Sequence, residues 1–469
     1  MTNRDHTEAF VEKFWDEHII PTLIDYIRIP NKSLVFDPHW EENGHVEAAL
    51  QLALGWLEAH SIPGASVQVG RYPGRTPLIL VDCPGEREGT ILMYGHLDKQ
   101  PEMTGWRSGF GPWKPKMENG KLYGRGGADD GYALFASVCA LLALAEQGIT
   151  RPRVVIVVEF SEESGSVDLP FWVDHFAEEI GQPSLVICLD SGAGNYEQLW
   201  STTSLRGVVS GTVDVHVLEE GVHSGDASGI VPSSFRVARE LLSRLEEAET
   251  GKILPKGLHA EIPTERLRQA EATALELGDV VWTRFPWSGL TKPLDQDPVT
   301  CILSRAWRPA LSVIGMDGIP PSGDAGNVLR PNTVLKLSLR LPPTVQAARA
   351  VEILEQLFTE NPPSGARIEV DFQDATTGWH APPLSEWLAA ALDDASFRYF
   401  GKPACHQGEG GSIPFMGMLH NQFPTAQFVV TGVLGPGSNA HGPNEFLHVP
   451  YAKCLTSCIV DLLNSVPIH

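Results

Sequence analysis

The sequence has few basic residues for its length. Its 35 lysines and arginines stand against 58 aspartates and glutamates, which gives a formal net charge of −23. Such a charge repels phosphate backbones and anionic lipid surfaces, and no basic stripe along the chain offsets it. Nucleic acids and membranes are therefore not expected as partners. An acidic total still allows a local cationic pocket for a small anion, particularly where metal ions are bound.

Cysteine is scarce, and hydrophobic runs are short. The seven cysteines are odd in number and scattered among apolar neighbours, which argues against a disulfide framework. Cys454 and Cys458 stand four residues apart, but no second cysteine or histidine pair accompanies them at zinc-finger spacing. No uninterrupted apolar run approaches the roughly 18 residues of a membrane span, and the polar N-terminus lacks the pattern of a secretory signal. We expect a cytoplasmic protein.

The chain is long enough for two domains, with 469 residues of which 42% are hydrophobic. In its first third, short apolar runs typical of buried strands alternate with helical patterns. The predicted strands are 78–81, 90–94, 154–158 and 185–189, and the predicted helices are 8–26 and 131–147. Continuous apolar strands separated by helices predict an α/β domain with a mixed, mostly parallel sheet.

The pattern changes near residue 206. Alternating apolar and polar residues, typical of strands with one solvated face, now occur together with amphipathic helices. The alternating stretches are 208–218, 333–341 and 366–372, and the helical ones are 233–247 and 345–358. This order predicts an inserted α+β domain with an antiparallel sheet. A helix at 384–400 and a strand at 427–430 then resume the first domain, so we predict domain ranges of 1–205, 206–382 and 383–469.

Histidine and carboxylate side chains follow the apolar strands of the first domain. His96 and Asp98 come after 90–94, Glu162 and Glu163 come after 154–158, and Asp190 comes after 185–189. Because reactive groups collect at the carboxyl ends of strands in such sheets, these side chains are expected to converge. Two divalent ions that share one carboxylate activate a water between them, and this chain has the donors for such a pair. Spacing alone does not assign a role to each acid.

In the segments around these histidine and carboxylate residues, the chain resembles the M20 family of metallopeptidases (clan MH), in particular its carnosine-dipeptidase and PepV-like branch. The likeness runs from about His96 to His441. It implies a phosphorylase/hydrolase-like catalytic domain and an inserted lid domain that makes a homodimer. The metal ligands that the resemblance implies are His96, Asp129, Glu163, Asp190 and His441, with Asp129 shared by both ions. It also implies that Asp98 orients His96 and that Glu162 is the general base.

The resemblance extends to the second domain and the loop after it. His223, in Gly-Val-His-Ser-Gly, is similar to a family histidine that stabilises the oxyanion, often in the site of a partner subunit. Asn327 and Arg340 are similar to lid residues that hold the substrate carboxylate, a task that suits the guanidinium fork. Ser412, in Gly-Gly-Ser-Ile-Pro, is similar to a residue of the loop that holds the substrate backbone.

Three positions depart from the family pattern. Gly131 stands where a lysine is usual, Gly408 lies in a Gln-Gly-Glu segment that lacks the usual arginine, and Asp190 precedes an atypical glycine-rich frame. None of the three removes a metal ligand. We expect them to alter substrate specificity.

The sequence therefore predicts a dinuclear zinc peptidase that hydrolyses dipeptides or small peptides with a free C-terminal carboxylate, with Mn²⁺ and Co²⁺ as alternative ions. An N-acyl-amino-acid deacylase of the same family is the alternative within the enzyme class. A non-catalytic metal-binding scaffold and a peptide-binding module are alternatives from other classes. The scaffold would be expected to lack a ligand or the base, and here all six positions are filled.

Overall fold

The structure is a computed structural model that describes residues 2–467. Its α-helices, in chain order, are α1 (Arg4–Phe14), α2 (Ile20–Ile27), α3 (Trp40–Asn43), α4 (His45–Ala59), α5 (Ala133–Glu146), α6 (Leu169–His175), α7 (Ala177–Ile180), α8 (Ser224–Ala227), α9 (Ser234–Leu245), α10 (Thr264–Leu277), α11 (Val280–Thr283), α12 (Pro298–Ala306), α13 (Ala347–Thr359), α14 (Glu386–Phe400), α15 (Pro414–Gln422) and α16 (Val449–Ser465). Short π-helical turns occupy Trp15–Ile19 and Gly127–Gly131, and 3-10 turns occupy Glu162–Ser164, Lys256–Leu258, Ser322–Asp324 and Pro363–Gly365.

The strands, also in chain order, are β1 (Ser66–Gly70), β2 (Leu78–Cys83), β3 (Arg87–His96), β4 (Lys116–Glu118), β5 (Lys121–Tyr123), β6 (Pro152–Glu159), β7 (Leu185–Cys188), β8 (Trp200–Leu205), β9 (Gly207–His216), β10 (Val222–His223), β11 (Glu246–Glu247), β12 (Lys252–Ile253), β13 (Ala310–Asp317), β14 (Val328–Leu329), β15 (Asn332–Leu341), β16 (Arg367–Thr376), β17 (Trp379–His380), β18 (Cys405–Glu409), β19 (Gln427–Val430) and β20 (Phe446–His448).

The chain divides into two compact units. The first comprises Met1–Thr202, Ala381–Gln407 and Met418–His469, and the second comprises Thr203–His380 and Gly408–Gly417. Residues 408–417 thus group with the second unit, whereas the range predicted from sequence had placed them in the first domain. Hydrogen bonds account for this: Arg206 donates its backbone N–H to Gly411 O and its Nε–H to Gly410 O.

The first unit is built on a six-stranded sheet of order β1-β2-β6-β3-β7-β19. β6, β3, β7 and β19 pair in parallel, while β1 and β2 are antiparallel to their neighbours. The valines and isoleucines of Val154–Val158 in β6 are buried on both faces, as expected where helices cover a parallel sheet. The predicted mixed, mostly parallel sheet is confirmed.

Helix α5 follows one of the site loops and is almost wholly buried. The segment Gly127–Glu146 is long and apolar enough, by length and composition, to cross a membrane, although its apolar residues are interrupted. An 18-residue stretch of it has a mean hydropathy of 1.4, and 89% of that stretch is buried inside the protein. A core helix of a soluble protein has the same composition, so this segment is weak grounds for a membrane span.

The first predicted helix, 8–26, is two helices in the structure. A π-helical turn at Trp15–Ile19 separates α1 from α2, and Pro21 occupies the first turn of α2. Proline has no N–H to donate to the preceding turn and its ring clashes with the carbonyl four residues earlier, which explains the irregularity. The apolar period continues through the break, so periodicity alone predicted one helix.

The second unit is built on a four-stranded antiparallel sheet of order β13-β15-β9-β16. Alternate residues of β9 and β15 pack against α9 and α13, and Val213, Leu337, Leu241 and Leu354 lie in that core. The predicted α+β architecture is confirmed. Strand β13 was not predicted, because it is an edge strand whose apolar side chains, including Val313 and Ile314, are exposed and give no alternation.

Candidate metal centre

The first unit gathers the predicted histidine and carboxylates at the carboxyl ends of its parallel strands. His96 is the last residue of β3, Glu162 and Glu163 form the 3-10 turn after β6, and Asp190 lies two residues after β7. Gly95 lets β3 approach α5, since a Cβ there would lie 2.7 Å from Ala133 Cβ. The strand order thus supplies the convergence that the sequence predicted.

His96, Asp129 and Asp190 form one group of metal-competent side chains, with ligand atoms within 4.8 Å of one another. His96 Nε2 lies 3.3 Å from Asp129 Oδ1 and 3.9 Å from Asp190 Oδ2. All three residues are buried. Asp129 lies in the π-helical turn before α5, so the group joins three segments that are distant in sequence.

Asp129, Glu163 and His441 form a second group of the same kind. His441 Nε2 lies 3.1 Å from Asp129 Oδ2 and 3.2 Å from Glu163 Oε2. His441 sits in the loop between β19 and β20 with φ of 64°, and its side chain is about half exposed. The two oxygens of Asp129 therefore face different histidines, one in each group.

Asp98 ties His96 to the glutamate turn. Its Oδ1 lies 3.3 Å from His96 Nδ1, and its two oxygens accept the backbone N–H groups of Glu162, at 3.1 Å, and Glu163, at 3.0 Å. The side chain of Asp98 is fully buried. Asp98 can thus set the orientation of the imidazole and the position of both glutamates at once.

Glu162 and Glu163 are adjacent but have different surroundings. Glu163 Oε2 accepts a hydrogen bond from Gln100 Nε2 at 2.6 Å in addition to facing His441. Glu162 belongs to neither ligand group; its Oε2 lies 4.0 Å from His96 Nε2. Burial, and next the charge of Asp190, raises the pKa of Glu162 well above its ordinary value. A carboxylate that belongs to neither ligand group and has a raised pKa suits proton transfer.

The donor set fits divalent cations. Burial raises the pKa of Asp190 to about 7, and burial together with the charge of Asp129 raises that of Glu163. Burial also works against ionisation of Asp129, but His441 and His96 outweigh it and hold its pKa below the ordinary value. Both ring nitrogens of His96 are buried without a hydrogen-bond partner among residues 2–467. Crowded carboxylates and an unsatisfied imidazole are what bound cations would stabilise.

A buried ion pair, which the sequence analysis missed, holds the loop of His441 against that of Asp129. Arg125 Nη1 lies 2.5 Å from Glu445 Oε2, and both side chains are almost fully buried. Arg125 Nη2 also donates to Gly442 O at 2.9 Å, and Glu445 Oε1 accepts from Gly126 N at 2.9 Å. The sequence contained one signal of this pair: Arg125 and Glu445 each stand four residues from a predicted ligand, Asp129 and His441 respectively.

Gly131, one of the departures from the family pattern, is required by its surroundings. A Cβ there would lie 2.3 Å from Tyr26 Cε1 and 2.5 Å from Gly126 O, so a lysine does not fit. Lys99, which is buried, instead places its Nζ 3.7 Å from the centre of the Tyr26 ring and donates to Tyr26 O at 2.7 Å. Burial lowers the pKa of Lys99 well below its ordinary value, so this segment places a buried amino group close to the site loops.

The four predicted substrate-contacting residues lie in the second unit as two pairs. His223 is exposed, and its Nδ1 accepts a hydrogen bond from Gly225 N at 3.1 Å; the carbonyl of Asn327 accepts from Ser224 N at 3.0 Å beside it. Arg340 Nη1 donates to Ser412 Oγ at 3.2 Å. No hydrogen bond joins one pair to the other within the part of the chain that the structure describes.

The loop of Ser412 is surrounded by arginines. Ser412 Oγ donates to Arg206 O at 2.5 Å, and Arg305 Nη2 donates to Gly408 O at 3.5 Å. Burial, and next the charges of Arg340 and Arg305, lowers the pKa of Arg206 to about 10. The segment that lacks the usual family arginine at Gly408 is thus contacted by an arginine from α12.

Comparison with known proteins places the chain in one family. The profile of peptidase family M20/M25/M40 matches residues 92–465. A cysteinylglycine-S-conjugate dipeptidase from Corynebacterium striatum is 27% identical over 462 residues, covering 92% of this chain and 96% of that protein. The human Beta-Ala-His dipeptidase is 26% identical over 446 residues, covering 87% and 82%. The solved structure of the dipeptidase Dug1p from Saccharomyces cerevisiae has the same fold, with a TM-score of 0.76 at 20% identity over 99% of this chain and 98% of that one.

Proposed function

The chain belongs to peptidase family M20/M25/M40, and we propose that this peptidase hydrolyses dipeptides with a free C-terminal carboxylate, using two divalent metal ions. The observation that supports it most directly is the position of Asp129. Its Oδ1 lies 3.3 Å from His96 and its Oδ2 lies 3.1 Å from His441. A carboxylate placed between two histidines, each with a further acid beside it, is the arrangement expected for a pair of ions that share a ligand.

Five residues would hold the two ions. His96 and Asp190 would complete one position and Glu163 and His441 the other, with Asp129 common to both. Zinc is the expected ion, because two imidazoles and three carboxylates suit it; Mn²⁺ and Co²⁺ accept the same donors. When bound, such a pair lowers the pKa of a shared water and polarises a carbonyl group.

Glu162 is the proposed proton carrier. It takes a proton from the attacking water and later gives it to the nitrogen of the leaving amine. Its carboxylate belongs to neither ligand group, and its pKa is raised above the ordinary value, which makes it a better proton acceptor than an exposed glutamate. Asp98 positions the residues of this step, because it accepts the backbone N–H of Glu162 and its Oδ1 faces His96 Nδ1.

The proposed substrate is a dipeptide because the second unit offers a carboxylate site. Arg340 is hydrogen-bonded to Ser412 at 3.2 Å and forms no ion pair with a carboxylate within residues 2–467. A guanidinium fork beside a hydroxyl suits a terminal carboxylate. The related proteins from C. striatum and human are both named as dipeptidases, which supports the same substrate class. Asn327 would add a polar contact to the substrate.

The proposal includes a homodimer formed through the second unit in the cytoplasm. Val313, Ile314 and Met316 on the edge strand β13 are 46%, 59% and 44% exposed. Exposed apolar side chains on an edge strand favour pairing with another chain. In such a dimer, exposed His223 would stabilise the oxyanion in the site of the partner subunit.

A substrate panel tests this function. The protein is stripped of metal, refilled with Zn²⁺, Mn²⁺ or Co²⁺ in turn, and assayed by mass spectrometry on Ala-Ala, on its C-terminal amide and on N-acetyl-alanine. We expect cleavage of the free dipeptide, loss of at least tenfold in kcat/KM for the amide, and no activity in stripped protein.

Preferred hydrolysis of N-acetyl-alanine would support the N-acyl-amino-acid deacylase instead. Saturable binding of the dipeptide without products in all three metal forms would contradict catalysis altogether. It would favour a peptide-binding or scaffold role.

A further inference from the structure

The second unit contains a cavity of about 750 Å³. Its walls come from three segments, residues 250–262, 281–295 and 300–310, and none of the predicted site residues lines it. Small-molecule sites are typically about 300–1,000 Å³ in volume. The cavity is therefore large enough for a compact organic ligand.

One wall of the cavity is aromatic. Trp282, Phe285, Trp287 and Trp307 line it, and Phe285 and Trp287 are 47% and 39% exposed. The rings of Phe285 and Trp287 lie 6.1 Å apart at 83°, and Trp287 Nε1 donates to Trp282 O at 2.9 Å, which fixes the indole. A preset wall of exposed rings suits a flat apolar group that can stack on it.

The charged side chains of the cavity are mainly cationic, although the chain as a whole is strongly acidic. Lys252, Arg305 and Arg308 line it together with one acid, Asp295. The guanidinium of Arg305 contacts Gly408 O, at 3.5 Å, and that of Arg308 contacts Ser304 Oγ, at 3.1 Å. Neither arginine forms an ion pair with a carboxylate anywhere in residues 2–467. An anionic group would complement this lining.

Two lining residues also carry unused donors. Arg305 Nε and Trp282 Nε1 are buried and have no hydrogen-bond partner in the described part of the chain. Buried donors without acceptors are unfavourable and uncommon, so an acceptor that satisfied them would be favourable. Both donors lie at residues that also supply the charge or the aromatic wall.

From these features we propose that the cavity binds a small aromatic carboxylate. The ring of the ligand stacks on the face of Trp287 and meets Phe285 edge to face, since those two rings lie at 83° to each other, and its carboxylate accepts hydrogen bonds from Arg305. The walls of the cavity contain none of the residues assigned to the proposed hydrolysis, and Arg305 also contacts Gly408 O, in the segment before Ser412.

Isothermal titration calorimetry of the full-length, metal-loaded protein with 2-naphthoate tests the proposal. The neutral 2-naphthamide is the matched probe, and Arg239→Gln, an exposed arginine on α9, is the control variant. We expect one molecule of 2-naphthoate to bind the wild type and Arg239→Gln equally. Binding should weaken at least tenfold in Arg305→Gln and for 2-naphthamide. Trp287→Ala provides a second variant, also weakened at least tenfold, should Arg305→Gln not fold as judged by circular dichroism.

Carboxylates also bind metal centres and substrate arginines, so Arg340→Gln is titrated in parallel. Unchanged affinity in Arg340→Gln supports the cavity. Loss of binding in Arg340→Gln with retention in Arg305→Gln and Trp287→Ala would overturn the proposal, because the acid would then occupy the position proposed for the dipeptide carboxylate. Absence of saturable binding to the wild type, or equal binding of 2-naphthamide, would also overturn it.

Discussion

Glu162 and Glu163 show how neighbours of the same residue type acquire different tasks. Both amides donate to Asp98, but only Glu163 belongs to a ligand group and contacts Gln100. The side chain of Glu162 belongs to neither ligand group, and its Oε2 lies 4.0 Å from His96 Nε2. The difference comes from what each carboxylate touches, and it sets the first test.

Replacing Glu162 by glutamine removes the proposed proton carrier and keeps the side-chain shape. We expect kcat to fall by about a thousandfold, within the roughly 10²–10⁴ range of general acid–base catalysis, with two metal ions per chain retained. Steady-state kinetics and metal analysis by mass spectrometry measure the two quantities. Near-normal kcat in Glu162→Gln would contradict the role of Glu162. Glu163→Gln is the control, and it should lose metal as well as activity.

His441 and Asp129 differ in how many ligand groups they join. His441→Ala removes a donor from one group, so we expect about one ion per chain after dialysis. Asp129→Asn weakens both groups and should leave less than one. Metal analysis at matched free-metal concentration compares the two variants. Equal metal content in both would argue against a shared carboxylate.

Glu159 makes stability depend on pH. Burial, and next the charge of Asp98, raises its pKa to about 7, although Tyr94, Ser161 and Ser166 donate hydrogen bonds to it. An unfolded glutamate ionises near pH 4.3, so between these values the folded state keeps a proton that the unfolded state loses. Stability therefore falls as pH rises through this window, by up to about 1.4 kcal/mol per pH unit, and levels off above it.

Urea unfolding of metal-free protein at pH 5, 6 and 7 tests this effect. Glu159→Gln should show a smaller loss of unfolding free energy with rising pH than the wild type, because other groups contribute equally to both. Glu58→Gln, at an exposed position on α4, serves as the control and should follow the wild type. Parallel curves for Glu159→Gln and wild type would show that Glu159 ionises normally.

The sequence predicted which side chains would meet, but it did not reveal the contacts that hold them. His96, Glu162, Glu163 and Asp190 could be found because each follows an apolar strand, and in the structure His96 lies near Glu162 and Asp190, while Glu163 joins His96's neighbour Asp129. Asp129 and His441 needed a family resemblance, since they lie in loops. The partners of these residues depend on long-range geometry that a local pattern does not encode.

Among the elements, the loops on either side of the centre depend on the ion pair between Arg125 and Glu445. The two residues are 320 positions apart, and their side chains are 1% and 0% exposed. Removing one charge of a buried pair leaves the other uncompensated. The loop that carries His441 is thus fixed by a contact with the loop before α5.

Arg125→Met should lower the free energy of unfolding by about 3–5 kcal/mol and weaken metal binding, because Glu445 is left buried and unpaired. Chemical denaturation and metal titration measure both effects. Arg349→Met, which breaks an exposed pair with Glu352, should cost no more than about 1 kcal/mol. A loss in Arg125→Met as small as in Arg349→Met would show that the buried pair does not hold the loops.

Elements with a buried face were predictable, and those without one were not. The predicted strands 90–94 and 333–341 correspond to β3 and β15, because their apolar residues face cores. β13 carries its apolar side chains outward, so it lacks the signal. Pro21 breaks the first helix within an unbroken apolar period, which a period-based prediction cannot detect.

At the scale of the whole molecule, the proposed dimer can be tested by measuring the molecular mass in solution. Sedimentation equilibrium should give twice the chain mass of 51.1 kDa for the wild type. Ile314→Lys, on the edge strand of the second unit, should reduce it to the single-chain mass, because a buried lysine in the interface is unfavourable. Val67→Lys, on the edge strand β1 of the first unit, is the matched control and should remain dimeric. A single-chain mass for the wild type would exclude the dimer.

At this level the sequence predicted the α/β architecture with an α+β insertion, and the structure confirms both. The positions of the domain boundaries remain a prediction. Residues 408–417 illustrate the reason: they follow the second domain in sequence, yet hydrogen bonds from Arg206 group them with it. Membership of a unit is decided by such contacts and not by the order of segments along the chain.

The position of Asp129 between two histidines has a further effect on how the centre fills. A first cation would draw one oxygen toward itself and neutralise part of the surrounding negative charge, which changes the affinity left for a second. The two proposed ions would therefore not bind independently. The number of ions bound per chain would then change with free metal concentration as it does for two coupled sites. The metal concentrations over which activity changes would therefore differ from those expected for two separate sites.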